Sequence, residues 1–386
     1  MPAVGPGVAS RVGIVGAGVI GGGWALHYLR MGLHVDVHDP GPGARDGLLR
    51  MLESSWPVLE RLGLRPGASP DRLTFCRTLG DAVGGADVVQ ENCPEDAALK
   101  RRVLADIDAA TPPEIVIASS TSGFAMSMLQ ADCANPQRCV VGHPFNPPYL
   151  IPLVEVAGGE KTDPAAVDWL TAFYASVGKR PLRLSGELPG FVGNRLQEAM
   201  WREALHMVAA GEATVEEIDA SIAWGPGLRW AQMGPCLTFH LAGGSGGMAH
   251  MLDHFGAALL EPWTRLEAPA LTPKLRERMV DGCLRVAAGR PVAELERLRD
   301  EFLAELIPLV ERYSAGGLLC PGSPGRALWR SPSAARHGGW ANEPARNRRA
   351  HGAPGMDRLH RPHDGRVLLR RVHRGDRGLP GPSRAR

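Results

Sequence analysis

Hydrophobic and polar positions follow two patterns along the chain, and the first extends from Arg11 to about Leu184. In this part short apolar runs are separated by segments of helix length. Apolar strands spaced by helices indicate βαβ units. We therefore predict an α/β fold with a doubly wound, mostly parallel sheet. The predicted strands are RVGIV (11–15), HVDVH (34–38), DVVQ (87–90), IVIAS (115–119), CVVG (139–142) and LVEV (153–156).

The second pattern begins near Gly190 and is helical. Apolar residues recur there at three- and four-residue steps, which is typical of an amphipathic helix. They are Val192, Leu196, Ala199, Met200, Ala204 and Met207. Thr214 and Glu217 have the spacing of a capping box. Because the linker SGELPG at 185–190 interrupts both patterns, we predict a sheet domain at 1–187 and an all-helical C-terminal domain at 188–316.

The remaining residues, 317–386, follow neither pattern. From Pro321 to Arg386 there are 15 Arg, no Lys and 4 acidic residues, a net charge of +11, so the rest of the chain carries −9 although the whole carries only +2. A disordered basic tail, a nucleic-acid-binding arm and out-of-frame translation of GC-rich DNA are the three interpretations. The absence of Lys favours the frameshift. We assign the tail no function and predict no nucleic-acid partner.

Cysteine use and apolar run lengths bear on the compartment. The seven cysteines include no CxxC pair, which argues against a disulfide framework or a zinc site. No basic segment precedes an apolar stretch at the N-terminus, and no apolar run reaches about 18 residues. We expect reduced thiols, no metal, no membrane partner and a cytoplasmic location.

A GxGxxG motif, Gly16, Gly18 and Gly21, lies between the strand RVGIV and a segment that can continue as a helix. The first glycine permits a tight turn, the second lets a pyrophosphate approach the backbone, and the third lets the helix pack against the strand. The helix N-terminus supplies free N–H donors for phosphates. Val19 and Ile20, in the first helical turn, are therefore also predicted cofactor contacts.

Asp39 follows the next strand, 23 residues after Gly16. A carboxylate at this point accepts hydrogen bonds from the ribose hydroxyls and repels a 2′-phosphate, which favours NAD over NADP. The alternatives are a glycine-rich turn with an exposed aspartate, or a flavin site. Strand, turn, helix and acid together favour NAD.

His143 and Glu155 are the candidate reacting pair. A carboxylate inside the apolar run LVEV is costly to bury unless it is paired, and a histidine after the preceding run is a natural partner. An imidazole with a pKa near ~6.5 accepts a hydroxyl proton at neutral pH, and a carboxylate on its other nitrogen fixes the tautomer. Each residue alone is better explained as a turn histidine or a solvated strand acid. Ser122, after IVIAS, belongs to the same carboxyl edge of the sheet.

Five motifs occur in an order that resembles the 3-hydroxyacyl-CoA dehydrogenase superfamily over residues 11–255. They are GAGVIG (16–21), STS (120–122), HPFNPP (143–148), LVEV (153–156) and PGFVGNRL (189–196). The resemblance implies a Rossmann-like domain followed by a helical one, NAD-dependent oxidation of a 3-hydroxyl, and a homodimer formed through the helical domain. It assigns His143 and Glu155 to the catalytic pair, Ser122 and Asn194 to the substrate oxygen, and Glu95, Lys100 and Asn146 to the nicotinamide side.

Several departures from the acyl-CoA pattern bear on the substrate. Ser120 and Gly123 replace the asparagine and serine usual around the STS turn, and Pro144 replaces an aromatic residue. A helical hairpin predicted at 44–72 has no Lys, whereas acyl-CoA members tend to be Lys-rich there. These differences put a CoA thioester in doubt.

Residues 224–256 resemble the superfamily members that oxidise L-carnitine more than the lambda-crystallin and L-gulonate group. Carnitine is a 3-hydroxy acid whose quaternary ammonium donates no hydrogen bond, so aromatic faces are its fitting recognition device. The predicted aromatic contacts are Trp224, Trp230 and Phe239, with ordinary core packing as the alternative. Arg195 or Arg229 is the predicted carboxylate clamp, with structural ion pairing as the alternative.

The expected reaction is therefore oxidation of the 3-hydroxyl of L-carnitine to 3-dehydrocarnitine, with His143 as base and NAD⁺ as hydride acceptor. Two alternatives remain. The same fold serves a 3-hydroxyacyl-CoA, 3-hydroxybutyrate or L-gulonate, or the chain is a non-catalytic protein on a dehydrogenase scaffold.

Overall fold

The computed structural model describes residues 4–231, 234–243, 245, 247–255, 270, 272–275, 277–278, 281 and 288–314. All of them belong to one compact unit, Met1–Trp329. The predicted tail at 317–386 lies outside the described residues. The predicted boundary between residues 187 and 188 stays a prediction.

Among the described residues, eight strands form one sheet that is flanked by helices. The strands are β1 Arg11–Val15, β2 His34–His38, β3 Leu73–Phe75, β4 Val88–Glu91, β5 Val116–Ser119, β6 Cys139–Pro144, β7 Leu153–Gly158 and β8 Arg180–Arg183. The helices between them are α1 Val19–Arg30, α2 Ala44–Arg61, α3 Leu79–Val83, α4 Ala97–Ala110, α5 Met126–Leu129 and α6 Pro164–Ser176. The later helices are α7 Gly193–Ala210, α8 Val215–Ala223, α9 Pro226–Trp230, α10 Pro235–Ala242, α11 Gly247–Phe255 and α12 Val292–Ser314.

The strand order is β3-β2-β1-β4-β5-β6-β7-β8. Neighbouring strands are parallel except β6 and β7, which pair antiparallel. The chain changes direction across the sheet between β1 and β4, and open α/β sheets bind their ligands at such a point. The predicted Rossmann-like, mostly parallel sheet is therefore confirmed.

All six predicted strands are present, and β1 and β2 have the predicted bounds. The sequence patterns did not predict β3 and β8, which lie at the two edges of the sheet. An edge strand buries fewer side chains and needs no continuous apolar run. Three of the four residues of β8, RPLR, are exposed.

Both faces of the sheet are buried under helices, so alternate residues of each strand enter different cores. Val12 and Ile14 of β1 belong to one hydrophobic cluster and Val15 to the other. This arrangement explains why the central strands read as continuous apolar runs rather than as an alternating pattern. The first cluster is centred on Trp24 of α1, whose ring stacks on Tyr28 at 5.2 Å and on Tyr174 at 5.3 Å.

The helical hairpin predicted at 44–72 is not present. One helix, α2, covers Ala44–Arg61, and the chain then makes a short 3₁₀ turn at Pro70–Arg72 before β3. The Gly, Pro and Ser residues of the sequence GLRPGASP at 63–70 explain this difference, because they favour turns over a second helix.

The later helices include the predicted helix near Gly190, which is α7, and the predicted capping box. Few side chains of α7 and α8 are buried. The capping box is confirmed, because Thr214 and Glu217 exchange side-chain-to-backbone hydrogen bonds at the start of α8. Helix α12 returns to the sheet region and packs against α2, where Ala304 is buried. Within the described part of the chain, no helix combines the length and apolar character that a bilayer crossing requires.

Candidate active site

His143 and Glu155 face each other across the antiparallel pair of strands β6 and β7. The register places the two residues directly opposite, and His143 Nδ1 lies 2.9 Å from Glu155 Oε2. The imidazole is 5% exposed and the carboxylate 0%. A carboxylate accepts hydrogen bonds only, so Nδ1 carries the proton and Nε2 is the free basic nitrogen.

Glu155 also caps the first turn of α7. Its Oε1 accepts the backbone N–H groups of Val192 at 2.9 Å and Gly193 at 3.0 Å. Burial alone would raise the pKa of Glu155, but the hydrogen bonds from His143, Gly193 and Val192 outweigh it and lower the pKa below its ordinary value. The carboxylate therefore remains anionic beside the imidazole.

Two aromatic rings enclose the imidazole. The centroid of the Phe145 ring lies 5.0 Å from that of His143, and the centroid of Phe191 lies 5.2 Å from it. Phe191 is 2% exposed and has a φ of 52°, a left-handed conformation that is costly for a residue other than glycine. A side chain at position 193 would collide with Phe145, because an added Cβ would lie 2.3 Å from its Cζ. The motif PGFVG thus shapes the wall around His143.

Ser122 lies in the turn after β5 and is held from two sides. Its hydroxyl donates to Glu95 Oε1 at 3.1 Å, and its carbonyl accepts from Asn194 Nδ2 at 2.8 Å. Asn194 belongs to the first turn of α7, next to the N–H groups that Glu155 receives. The structure therefore connects Ser122, Asn194, Glu155 and His143 through α7.

Ser120, two residues before Ser122, lies at the centre of a part-buried cluster of polar side chains. Its Oγ accepts from Trp24 Nε1 at 3.1 Å and from Gln90 Nε2 at 2.8 Å, and donates to Asn92 Oδ1 at 2.8 Å. Tyr174 donates to Gln90 Oε1 at 2.7 Å. Ser120, which differs from the acyl-CoA pattern, is thus fixed by Trp24 of α1, by Gln90 of β4 and by Asn92 just after that strand.

Glu91, the last residue of β4, was not predicted as part of the site. It is 0% exposed and pairs with Lys100 at 3.0 Å, and Lys100 is itself 1% exposed. The signal that identifies Glu155, an acid within an apolar strand, also applies to the strand VVQE of β4. Lys100, predicted as a nicotinamide contact, directs its ammonium at protein groups, and that assignment stays a prediction.

The glycine motif has the geometry that a bound dinucleotide needs. Gly16 has a φ of 93°, and an added Cβ would lie 2.7 Å from the carbonyl oxygen of Asn92. At Gly21 an added Cβ would lie 1.8 Å from the carbonyl oxygen of Gly16, so this glycine is required where α1 approaches the turn. An added Cβ at Gly18 meets nothing within 4 Å. Gly18 therefore leaves space at the N-terminus of α1 for a phosphate group.

Asp39 lies directly after β2, beside this turn. Its Oδ2 accepts the backbone N–H of Ala17 and its Oδ1 that of Gly41, each at 2.7 Å. These bonds fix the carboxylate at the carboxyl edge of the sheet and leave it further acceptor capacity for a ribose. Val19 is 59% exposed in the first turn of α1, whereas Ile20 packs partly against the core. The residues present fit NAD.

Asn146, predicted on the nicotinamide side, is exposed in the loop after β6.

The predicted carnitine contacts lie in the helical region. Trp224 is 81% exposed and Phe239 53% exposed, while Trp230 is partly buried. Within this single chain Trp224 and Phe239 are therefore not part of a packed core. Arg195 and Arg229 are exposed. The ring contacts of His143 among the described residues are with Phe145 and Phe191, and the roles of these five side chains stay predictions.

Comparison with protein families identifies two adjoining matches. The model described as 3-hydroxyacyl-CoA dehydrogenase, NAD binding domain, matches residues 11–187. The model described as 3-hydroxyacyl-CoA dehydrogenase, C-terminal domain, matches residues 190–292.

Curated relatives match over nearly their whole length. L-carnitine dehydrogenase of Streptomyces coelicolor is 60% identical over 297 residues, which is 77% of this chain and 93% of the relative. L-carnitine dehydrogenase of Bacillus cereus is 53% identical over 309 residues, 80% of this chain and 95% of the relative.

Solved structures share the fold. An NAD⁺-dependent 5-formyl-3-hydroxy-2-methylpyridine 4-carboxylic acid 5-dehydrogenase matches with a TM-score of 0.68 and 30% identity, covering 79% of this chain and 99% of that one. FadB2 of Mycobacterium tuberculosis matches with a TM-score of 0.52 and 30% identity, covering 71% and 94%.

Proposed function

This chain belongs to the 3-hydroxyacyl-CoA dehydrogenase family and is an NAD-dependent oxidoreductase, and on that premise we propose that it oxidises the 3-hydroxyl of L-carnitine to 3-dehydrocarnitine. The observation that carries the substrate is the similarity to L-carnitine dehydrogenases, which extends over some nine-tenths of their length. The site geometry supports the chemistry of the proposal.

In the proposed mechanism, His143 Nε2 accepts the proton of the 3-hydroxyl. The support is the contact of 2.9 Å between Nδ1 and Glu155, which fixes the tautomer and stabilises the imidazolium that forms. The N–H groups at the start of α7 keep Glu155 charged for this task. The turn from Gly16 to Gly21 and Asp39 would hold NAD⁺, which would accept the hydride when bound.

Ser122 and Asn194 position the alcohol oxygen. In the structure Asn194 donates to the carbonyl of Ser122, and the Ser122 hydroxyl donates to Glu95. Both side chains therefore have a defined orientation before a substrate arrives. A hydroxyl that turns from Glu95 to the substrate oxygen exchanges one hydrogen bond for another, which costs little.

We further assign recognition of the trimethylammonium group to the aromatic residues Trp224, Trp230 and Phe239, and of the carboxylate to Arg195 or Arg229. The support is that Trp224 and Phe239 expose most of their surface. An aromatic face offers a quaternary ammonium about 0.5–2 kcal/mol, depending on desolvation.

A comparison of substrates tests the proposed function. We expect kcat/KM with NAD⁺ to be highest for L-carnitine, lower for L-gulonate and lowest for 3-hydroxybutyryl-CoA. The isostere 3-hydroxy-5,5-dimethylhexanoate, in which a neutral carbon replaces the cationic nitrogen, is a matched control and should react poorly. A preference for the CoA thioester or for gulonate would overturn the choice of substrate, and NAD binding without turnover of any hydroxy acid would overturn catalysis.

We also infer a homodimer and a cytoplasmic location. Apolar side chains exposed on α7, such as Leu196, Met200 and Trp201, support a second copy as their cover. The described cysteines Cys76, Cys93, Cys133, Cys139 and Cys236 are free, which supports a reducing compartment. Sedimentation equilibrium should give twice the monomer mass, and fractionation of cells should place the protein in the cytosolic fraction. A monomer, or a membrane or secreted fraction, would contradict these inferences.

A further inference from the structure

We propose that Glu91 is a positioning residue for the alcohol site: it holds Lys100, and through Lys100 and Glu95 it fixes the turn that carries Ser122. This inference rests on the proposed function, because Ser122 contacts substrate only within it. None of the motifs that carry the proposed reaction includes Glu91.

The burial of Glu91 requires a strong compensating set of contacts. The side chain is 0% exposed, and an uncompensated charge without water is very costly. It accepts from Lys100 Nζ at 3.0 and 3.3 Å, from the backbone N–H of Cys93 at 2.6 Å and from Ser119 Oγ at 2.5 Å. Glu91 is thus held by the neighbouring strand β5 and by the start of the loop to α4.

Lys100 connects Glu91 to Glu95, so the position of Glu95 depends on that of Glu91. Its ammonium donates to Glu91 at 3.0 Å and to the carbonyl of Cys93 at 3.0 Å. It also forms an ion pair with Glu95 Oε2 at 3.4 Å. Because Lys100 is 1% exposed, water does not compete for these donors. The direction of each bond is therefore set by the protein.

Glu95 holds the turn at 121–123 with its other oxygen. Oε1 accepts from Thr121 Oγ1 at 2.7 Å, Ser122 N–H at 2.9 Å, Ser122 Oγ at 3.1 Å and Gly123 N–H at 3.2 Å. Partial burial acts to raise the pKa of Glu95, but the Thr121 hydroxyl, Lys100 and Ser122 lower it overall. The carboxylate stays anionic and can organise all four donors.

The chain of contacts runs from a buried acid to an exposed serine. Ser122 is exposed, and a hydroxyl at the surface has no fixed rotamer unless a partner holds it. Neutralising Glu91 leaves Lys100 with one carboxylate fewer, so the ammonium draws Glu95 toward itself. The Oε1 grip on the turn then loosens. We expect the loss to appear in turnover, because a misplacement of about 1 Å costs on the order of 100-fold.

A double-mutant cycle between Glu91→Gln and Ser122→Ala tests the proposal. The readout is kcat at saturating NAD⁺ and substrate for wild type, both single variants and the double variant. E91Q should lower kcat by about 10- to 100-fold in the wild-type background. In the S122A background it should lower kcat by less than about threefold, because the group it positions is gone. Equal factors in the two backgrounds would overturn the proposal.

Asp108→Asn is the matched control. Asp108 forms another buried ion pair, with Arg138 at 2.6 Å, and its side chain is 1% exposed. Its side chain is bound by Asn135 and Arg138, and neither residue belongs to the turn at 121–123. D108N should lower Tm as E91Q does while leaving kcat unchanged. An equal loss of kcat in D108N at equal loss of Tm would attribute the effect to stability and overturn the proposal.

Glu91→Asp serves if E91Q does not fold. It keeps the buried charge pair and shortens the side chain, so it should fold and should also lose its effect on kcat in the S122A background. Any 3-hydroxy acid that the wild-type chain oxidises serves for the cycle. Failure of L-carnitine as a substrate therefore overturns the proposed function alone, whereas independent effects of E91Q and S122A overturn this proposal alone.

Discussion

Large apolar side chains are buried in the sheet region, residues 4–184, and many of them are exposed in the helical region from α7 to α11. In the sheet region Trp24, Tyr28 and Leu29 are 0% exposed. In the helical region Trp201 is 54% exposed and Trp224 81% exposed. The sheet region closes its own core. The helical region presents apolar surface that a ligand or a second copy can cover.

Buried charge follows the same division. Glu91, Lys100 and Glu155 are buried in the sheet region, and each has a hydrogen-bonded partner. The start of the helical region donates the N–H groups of Val192 and Gly193 to Glu155, and Asn194 donates to the carbonyl of Ser122. In the proposed mechanism the reacting pair belongs to the sheet region, whereas the proposed contacts to the ammonium and carboxylate of the substrate belong to the more exposed helical region.

The largest expected effect is on kcat, and it compares a residue of the sheet region with one of the helical region. His143→Ala should lower kcat by about 10²–10⁴-fold, because it removes the proposed base. Asn194→Ala removes one hydrogen bond from the helical side and should lower kcat by about tenfold. Steady-state kinetics with L-carnitine measures both, and NADH fluorescence should show unchanged cofactor binding in each. Unimpaired turnover of H143A would remove the base assignment.

A pair of leucines compares the two surfaces by stability. Leu29→Ala empties a fully buried position in α1 and should lower the free energy of unfolding by about 2–5 kcal/mol. Leu196 is 54% exposed, and L196A should change the free energy of unfolding of the monomer by less than about 0.5 kcal/mol. Urea unfolding at low protein concentration measures both. A cost of L196A equal to that of L29A under these conditions would show that the comparison is wrong.

Acid should remove the contribution of Glu155 to stability. A group whose pKa is lower in the folded state stabilises the fold above its unfolded-state pKa and loses that contribution as pH falls through the folded value. At neutral pH Glu155→Gln should be less stable than wild type by about 1–3 kcal/mol. The difference in the free energy of unfolding between E155Q and wild type should shrink as the pH falls below 4.5, the ordinary pKa of a glutamate. Urea unfolding at a series of pH values measures it.

Glu60→Gln, at an exposed position of α2, is the control for that series and should track wild type at every pH. A difference between E155Q and wild type that persists unchanged to low pH would show that the carboxylate charge contributes nothing.

The smallest expected effect lies in the helical region. Trp224→Ala should raise KM for L-carnitine a few-fold, since a cation–π contact at an exposed site contributes about 0.5–1 kcal/mol. KM for 3-hydroxy-5,5-dimethylhexanoate, which has no charge at that end, should change less. Trp201→Ala, an exposed tryptophan outside the predicted contacts, is the matched variant. If W224A and W201A alter KM for carnitine equally, Trp224 does not form the ammonium site.

Local pattern alone determined much of this protein. Six strands, the glycine turn with Asp39, the amphipathic segment of α7 and the capping box of α8 all follow from spacing and residue type, because each depends on neighbours within a few residues. The pairing of His143 with Glu155 could also be predicted from the sequence, since a buried acid needs a partner.

Tertiary structure decided what depends on contacts between distant segments. The antiparallel register of β6 and β7 sets His143 opposite Glu155, and α7 adds two N–H donors to the same carboxylate. The burial of Glu91 depends on Ser119 of the neighbouring strand. The packing of α12 against α2 could not be predicted from the local sequence pattern of either helix. Periodicity records which side of an element is apolar, but register and packing choose the group that covers it.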